Sequence, residues 1–196
     1  MKTVAVTQRV TVDPPHSTRR DCLDQAWTKF LLGCGLVPIP VPNSVEAALK
    51  ICDRVDGIVL TGGNDLAAYG GDAPERDETE TALLDLAERR DLPVLGVCRG
   101  MQMIQHRFGS RLQRVAGHVA PCQRISIDGR SVETNSYHNF GAMEVFPPLT
   151  TWAIAGDGVI KAVKHTDRRM LGVMWHPERL DPFAADDVAL FSEFFG

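Results

Sequence analysis

The stretch Pro93-Val94-Leu95-Gly96-Val97-Cys98-Arg99-Gly100-Met101 decides the fold. Pro93–Val97 is a short apolar run without alternation, the pattern of a strand covered on both faces of a parallel sheet. Met101–Phe108 reads as a helix that Gly109 stops. Between them, glycines on either side of Cys98 fit a sharp strand-to-helix turn in which no flanking side chain has room. The same rhythm runs outward toward the N-terminus. Val4–Thr7 and Gly57–Thr61 are apolar strands, and the prolines of Val37–Pro42 suit an edge strand. Ser44 precedes a short helix through Ile51. Arg76–Arg90 reads as a charged surface helix with Leu83, Leu84 and Leu86–Ala87 turned inward. Thr18-Arg19-Arg20-Asp21 spells a capping signal ahead of an amphipathic helix through Leu32. Strands and helices in alternation imply an α/β fold, a three-layer α/β/α sandwich on a mostly parallel central sheet.

Beyond Arg111 the pattern changes. Gln123–Ile127 and Arg130–Thr134 alternate about the turn Asp128-Gly129, and Trp152–Ala155 and Val159–Val163 about Asp157-Gly158. Asp-Gly between alternating runs is a strong hairpin signal. The second half therefore adds antiparallel hairpins to the sheet. A last apolar strand, Leu171–Trp175, precedes a C-terminal helix from Asp186 to Phe195.

The chain has 196 residues and a formal net charge of −4, and it shows neither a repeat nor a linker. One domain spanning residues 1–196 is expected. With 44% hydrophobic and 23% charged residues, it has the composition of a globular protein. The negative balance argues against nucleic acid as a partner. No apolar run approaches the ~20 residues of a membrane span, so a membrane partner is not expected either. Five cysteines, Cys22, Cys34, Cys52, Cys98 and Cys122, are widely spaced and include no C-x-x-C, against both a disulfide framework and a zinc site. A reduced, cytoplasmic setting is the expectation. The six histidines show no metal-ligand spacing, and neither phosphate-binding glycine motif occurs. No metal or other cofactor is expected.

Cys98 is the candidate nucleophile. At a helix N-terminus the helix dipole favours a thiolate, and the Arg99 backbone N–H can form half of an oxyanion hole. Free cysteines are more often small buried hydrophobes; the strand–turn–helix setting favours the reactive reading. A base and its orienter are needed. His176 and Glu178, two apart after the strand Leu171–Trp175, can meet at the same sheet edge where Cys98 emerges. Thr61-Gly62-Gly63-Asn64-Asp65 can turn backbone N–H groups toward an anion, although alone it reads as well as a plain turn. Asn135-Ser136-Tyr137-His138-Asn139 is a polar insert that by itself reads as a loop.

Taken together and in this order, Thr61-Gly62-Gly63-Asn64-Asp65, Gly96-Val97-Cys98-Arg99-Gly100-Met101-Gln102, Asn135-Ser136-Tyr137-His138 and Trp175-His176-Pro177-Glu178 resemble the class I glutamine amidotransferase-like superfamily, in its gamma-glutamyl hydrolase branch. The resemblance covers nearly the whole chain. It implies a Cys98–His176–Glu178 triad, Gly63 as second oxyanion donor with Arg99, and a glutamyl site that includes Gln102 and Ser136–His138, with Gly62, Asn64 and Asn135 as further substrate-binding candidates. Arg99 distinguishes the hydrolase branch from the amidotransferases proper. Thr7-Gln8-Arg9, Gly63-Asn64-Asp65-Leu66, Asn135–Phe140 and Met174–Arg179 are similar to a narrower group, the gamma-glutamyl-CDP-amidate hydrolases of capsule phosphoramidate synthesis. The stretch between Asp65 and Arg76 is short compared with gamma-glutamyl-GABA hydrolases. The implied activity is hydrolysis of a small-molecule gamma-glutamyl amide through a thioester. For a nucleotide-linked substrate Arg9 and Arg179 would bind, with Arg19 and Arg20 as further candidates for a diphosphate. A glutaminase subunit feeding a synthetase, a cysteine-type α/β-hydrolase and a non-catalytic binding module remain open. The order His176 before Glu178 counts against the α/β-hydrolase.

Overall fold

The computed structural model describes residues 1–196. Its first half runs β1 (Lys2–Val6), β2 (Arg9–Asp13), β3 (Thr18–Cys22), α1 (Gln25–Gly33), β4 (Leu36–Pro40), α2 (Val45–Cys52), β5 (Gly57–Leu60), α3 (Pro74–Arg90), β6 (Val94–Val97) and α4 (Arg99–Arg107). The second half runs β7 (Gln113–Arg114), β8 (Val119–Ile127), β9 (Arg130–Tyr137), β10 (Phe140–Gly141), β11 (Leu149–Ala155), β12 (Ile160–His165), β13 (Met170–Val173) and α5 (Ala185–Phe195). One sheet of nine strands has the order β4-β1-β5-β6-β13-β12-β11-β8-β9. Its pairs from β4 to β13 are parallel and those from β13 to β9 antiparallel.

The parallel strands form where the sequence is apolar without a break. Val4, Ala5, Val6, Ile58, Val59, Leu60, Val94, Leu95 and Val97 are all fully buried, as expected of strands sandwiched between helices. On one face α1 packs against α5, where Phe30 and Phe191 meet edge to face at 4.8 Å. α3 packs between α2 and α4 on the other. β4 takes the edge that its prolines favour, because Pro38 and Pro40 have no N–H to give a further strand. Both Asp-Gly hairpins form, β8–β9 and β11–β12. No helix is long and apolar enough to cross a membrane.

Two expectations are corrected. Thr18–Asp21 does not begin a helix. Thr18–Cys22 pairs antiparallel with Arg9–Asp13, and the helix starts at Gln25, where the Asp24 carboxylate accepts from Ala26 N–H at 2.9 Å. The true cap lies three residues beyond the T-x-x-D signal. Asn135–Tyr137 is no loop either, since β9 continues through Tyr137. The Asn135 and Ser136 side chains are satisfied inside the protein, and that satisfaction shapes the site.

Candidate active site

Cys98 stands between β6 and α4 with φ +52° and ψ −105°, a strained turn for a residue other than glycine. Its backbone N–H donates to the Val173 carbonyl of β13 at 2.8 Å. A Cβ on Gly96 would lie 2.5 Å from the Gly100 carbonyl carbon, and one on Gly100 would strike the Leu60 carbonyl. The two flanking glycines are therefore what allow strand, turn and helix to close so tightly. The Cys98 Sγ faces the Tyr137 carbonyl at 4.0 Å.

His176 lies three residues beyond the end of β13, and its Nδ1 lies 2.7 Å from Glu178 Oε1. Both side chains are 2% exposed. Nδ1–H donating to the carboxylate leaves Nε2 for the thiol. Burial disfavours the imidazolium, but hydrogen bonding to Cys98 and Glu178, and their negative charges, outweigh it. The His176 pKa rises to about 9. Gly62 lies against this pair: a Cβ there would sit 2.8 Å from His176 Cε1 and 3.6 Å from Cys98 Cβ. At Gly63, with φ +120°, a Cβ would sit 2.7 Å from Arg9 Cβ and 2.8 Å from Arg76 Nη1. Cys98, His176, Glu178, Gly62 and Gly63 are thus brought together as expected.

Side chains expected to meet substrate mostly turn inward. Asn135 is 3% exposed. Its amide accepts from His176 N–H at 2.8 Å and donates to the His176 carbonyl at 2.8 Å. It clamps the backbone of the base. Ser136 Oγ donates to the His118 carbonyl and accepts from Lys161 Nζ. His138 Nδ1 donates to the Phe140 carbonyl while Nε2 accepts from Lys161. Asn64 brackets β2 in the same way, accepting from Val10 N–H at 2.8 Å and donating to its carbonyl at 2.9 Å. Gln102 donates to the Phe140 carbonyl at 2.8 Å. In this structure the Asn64, Asn135, Ser136 and His138 side chains are engaged by backbone and by Lys161, so each has a scaffolding role. Within Asn135–His138 only the Tyr137 ring reaches the surface, 5.9 Å from the His176 ring.

The arginines divide. Arg19 pairs with Glu75, and Arg20 with Asp13; neither lines the cavity beside His176. Arg9, on β2, and Arg179 line a cavity beside Gly62, Gly63, His176 and Glu178. The Arg179 guanidinium stacks 5.1 Å over Tyr137 and lies 3.5 Å from Glu178 Oε1. No three His, Cys, Asp or Glu side chains converge as a metal site.

Three buried groups escaped the sequence reading. Arg76 and Glu80 on α3 are 0% exposed. The Arg76 guanidinium donates to the Thr61 carbonyl at 2.7 Å and to Glu80 Oε1 at 3.0 Å. Glu80 Oε2 accepts from Arg99, whose other nitrogen pairs with Asp77. One carboxylate thus ties the loop before Gly62–Gly63 to the residue after Cys98. The available signal was the i, i+4 spacing that puts Arg76 and Glu80 on the stripe of Leu83, Leu84 and Ala87. The third is Lys161, which stands alone in the apolar run Val159–Val163.

The fold is that of glutamine amidotransferases. A glutamine amidotransferase from Thermotoga maritima superposes with a TM-score of 0.72 at 13% identity, covering 98% of this chain and 83% of that one. Residues 3–128 and 118–178 match the Peptidase C26 family, and the chain belongs to it. Among its relatives, a gamma-glutamyl-CDP-amidate hydrolase of Campylobacter jejuni is 27% identical over 98% of this chain and 96% of its own length. A gamma-glutamyl-gamma-aminobutyrate hydrolase of Escherichia coli K12 is 26% identical over 83% of this chain and 80% of its own.

Proposed function

We propose that the protein is a cysteine-dependent hydrolase that cleaves a gamma-glutamyl amide bond and releases L-glutamate. The observation that carries this reading is the buried Cys98, His176 and Glu178 assembly at the ends of two neighbouring parallel strands, β6 and β13. The Cys98 thiolate attacks the side-chain carbonyl of the glutamyl group. Backbone N–H groups of Gly63 and Arg99 receive the oxyanion; one such donor is worth roughly 3–4 kcal/mol. His176, charged at neutral pH, gives its proton to the leaving nitrogen, and a gamma-glutamyl thioester remains on Cys98. Acylation removes the thiolate charge that had held the His176 proton. The ring becomes a better base when it must deprotonate the attacking water. Glu178 keeps it oriented throughout. Glutamate leaves and the thiolate is restored.

The leaving group we favour is nucleotide-linked: gamma-glutamyl-CDP-amidate, giving cytidine diphosphoramidate for capsule phosphoramidate synthesis. What supports it is the Campylobacter relative of nearly equal length, together with Arg9 and Arg179 at the cavity mouth, where guanidinium groups suit a diphosphate. The Escherichia coli relative supports gamma-glutamyl-GABA as the second reading. Glutamate release from glutamine, gamma-glutamyl-GABA, folate polyglutamate and gamma-glutamyl-CDP-amidate separates them. The CDP-amidate should turn over fastest, and Cys98→Ala should release none while staying folded. A faster rate on another member of the panel overturns the substrate assignment. Wild-type rates in folded Cys98→Ala overturn the mechanism, and a glutaminase subunit would respond only when its synthetase is added.

A further inference from the structure

Lys161 projects from β12 and is 2% exposed. Its Nζ donates to Ser136 Oγ at 2.9 Å and to His138 Nε2 at 2.7 Å. Both acceptors are neutral. The serine hydroxyl points its own proton at the His118 carbonyl. Burial and the adjacent Lys161 charge hold the His138 pKa down to about 3. Lys161 takes part in none of the thirteen ion pairs of the protein, from Arg19–Glu75 to Arg179–Glu178. Burial lowers its pKa to about 8, opposed by the charges of Asp157 and Cys98, so it is still an ammonium at neutral pH.

A buried cation with only neutral partners destabilises the fold that carries it. An apolar side chain would suit the run Val159–Val163 better for packing alone. An ammonium has three donors, and two are in use. The cation lies beneath Ser136–Tyr137, the segment whose carbonyl faces Cys98 Sγ. Asp157, whose charge also acts on Lys161, is engaged by His118 at 2.9 Å. No carboxylate pairs with Lys161; the charge of Cys98 is the anion acting on it from the site, and acylation removes that charge, leaving the ammonium without a counter-ion there.

On the gamma-glutamyl reading above, the acyl group brings a carboxylate that takes no part in the chemistry, on the α-carbon. We propose that Lys161 is the counter-charge for that α-carboxylate, making it the residue that selects an acyl group carrying a second carboxylate. Its field reaches the site across Ser136 and His138.

The test is a two-by-two comparison. Wild type and Lys161→Met are assayed with gamma-glutamyl-p-nitroanilide and with the same anilide bearing an α-carboxamide. Wild type should prefer the carboxylate substrate in kcat/KM by about 10- to 100-fold, the range for unit charges roughly 6–10 Å apart at an effective dielectric of about 20. Lys161→Met should lower that ratio to below about threefold, chiefly through KM. Should Lys161→Met not fold, Lys161→Gln gives the same ratio. An unchanged ratio in the folded variant overturns the assignment, as does a wild-type ratio near one. Absence of anilide release by the wild type on either substrate instead overturns the gamma-glutamyl reading itself.

Discussion

Glu80→Gln tests the link between the two sides of the site. The substitution keeps shape and volume but removes the one negative charge between two buried guanidiniums. Arg76 then has no carboxylate partner among its contacts, and Arg99 keeps only Asp77, which is 21% exposed. Breaking a buried pair by removing one partner costs about 3–5 kcal/mol. For a chain of this size that converts to a fall in Tm of about 6–20 °C, at ~2–4 °C per kcal/mol. Burial would raise the Glu80 pKa, but Arg99 and Arg76 outweigh it and hold it below 4.5. A depressed acid contributes stability that is present above its unfolded pKa and lost as pH falls through the folded one. The Tm gap between wild type and variant should therefore be full at pH 7 and shrink only under acid. The second consequence is catalytic. Arg76 holds the Thr61 carbonyl, so loosening it lets the Gly63 N–H drift from the oxyanion position. A lost donor of this kind lowers kcat by up to about 10²–10³-fold, while KM should change far less. Circular dichroism melts from pH 3 to 8 and initial rates below the variant's Tm supply both readouts. A Tm within about 2 °C of wild type, or an unchanged kcat, refutes the argument, since each follows from the buried geometry.

Asn135→Ala leaves the buried His176 N–H and carbonyl without partners, at about 1–3 kcal/mol each. It should lower kcat with KM unchanged, whereas a raised KM with normal kcat would restore Asn135 to substrate contact. His176 titrates near 9, above the ordinary 6.5, so its stabilising contribution is complete below about 6.5 and lost as pH rises through about 9. Urea unfolding of wild type and His176→Gln at pH 6, 7.5 and 9.5 should show a difference that narrows toward alkali. That difference is free of Lys161, whose depressed pKa acts with the opposite sign in both proteins. Burial, with Asp187 beside it, pushes the Cys34 thiol up to about 12. Burial and Asp53 push Cys52 up to about 11 against Arg90. Iodoacetamide at pH 7 should therefore label exposed Cys122 and spare Cys34 and Cys52, as peptide mapping would read.

The parallel core was legible because a strand buried on both faces leaves an unambiguous trace: Gly57–Leu60 and Val94–Val97 contain no polar side chain to dilute it. The hairpin β2–β3 was not. Thr18–Cys22 is exposed along most of its length, so no buried face imposes a period of two, and an N-cap pattern filled the gap. Register there is fixed from outside the segment, by Asn64 grasping the Val10 backbone at a sequence separation of 54.

The same distinction separates the reacting groups from their supports. Cys98, Gly62 and Gly63 announce themselves locally, because strain and close approach exclude most other residues. Asn135, Glu80 and Lys161 are ordinary polar residues whose meaning lies in partners 41, 19 and 25 positions away. Composition around them even misleads: a polar strand imitates a loop, and a buried Arg–Glu pair on α3 imitates a solvated helix face. What exposes them is satisfaction. Asn135 and Glu80 have every strong partner they need, and each serves a backbone segment of the site. Lys161 is a buried cation outside every ion pair, and the anion that acts on it from the site, Cys98, loses its charge on acylation. Cost without local return is the physical mark of a group whose counterpart arrives with the ligand.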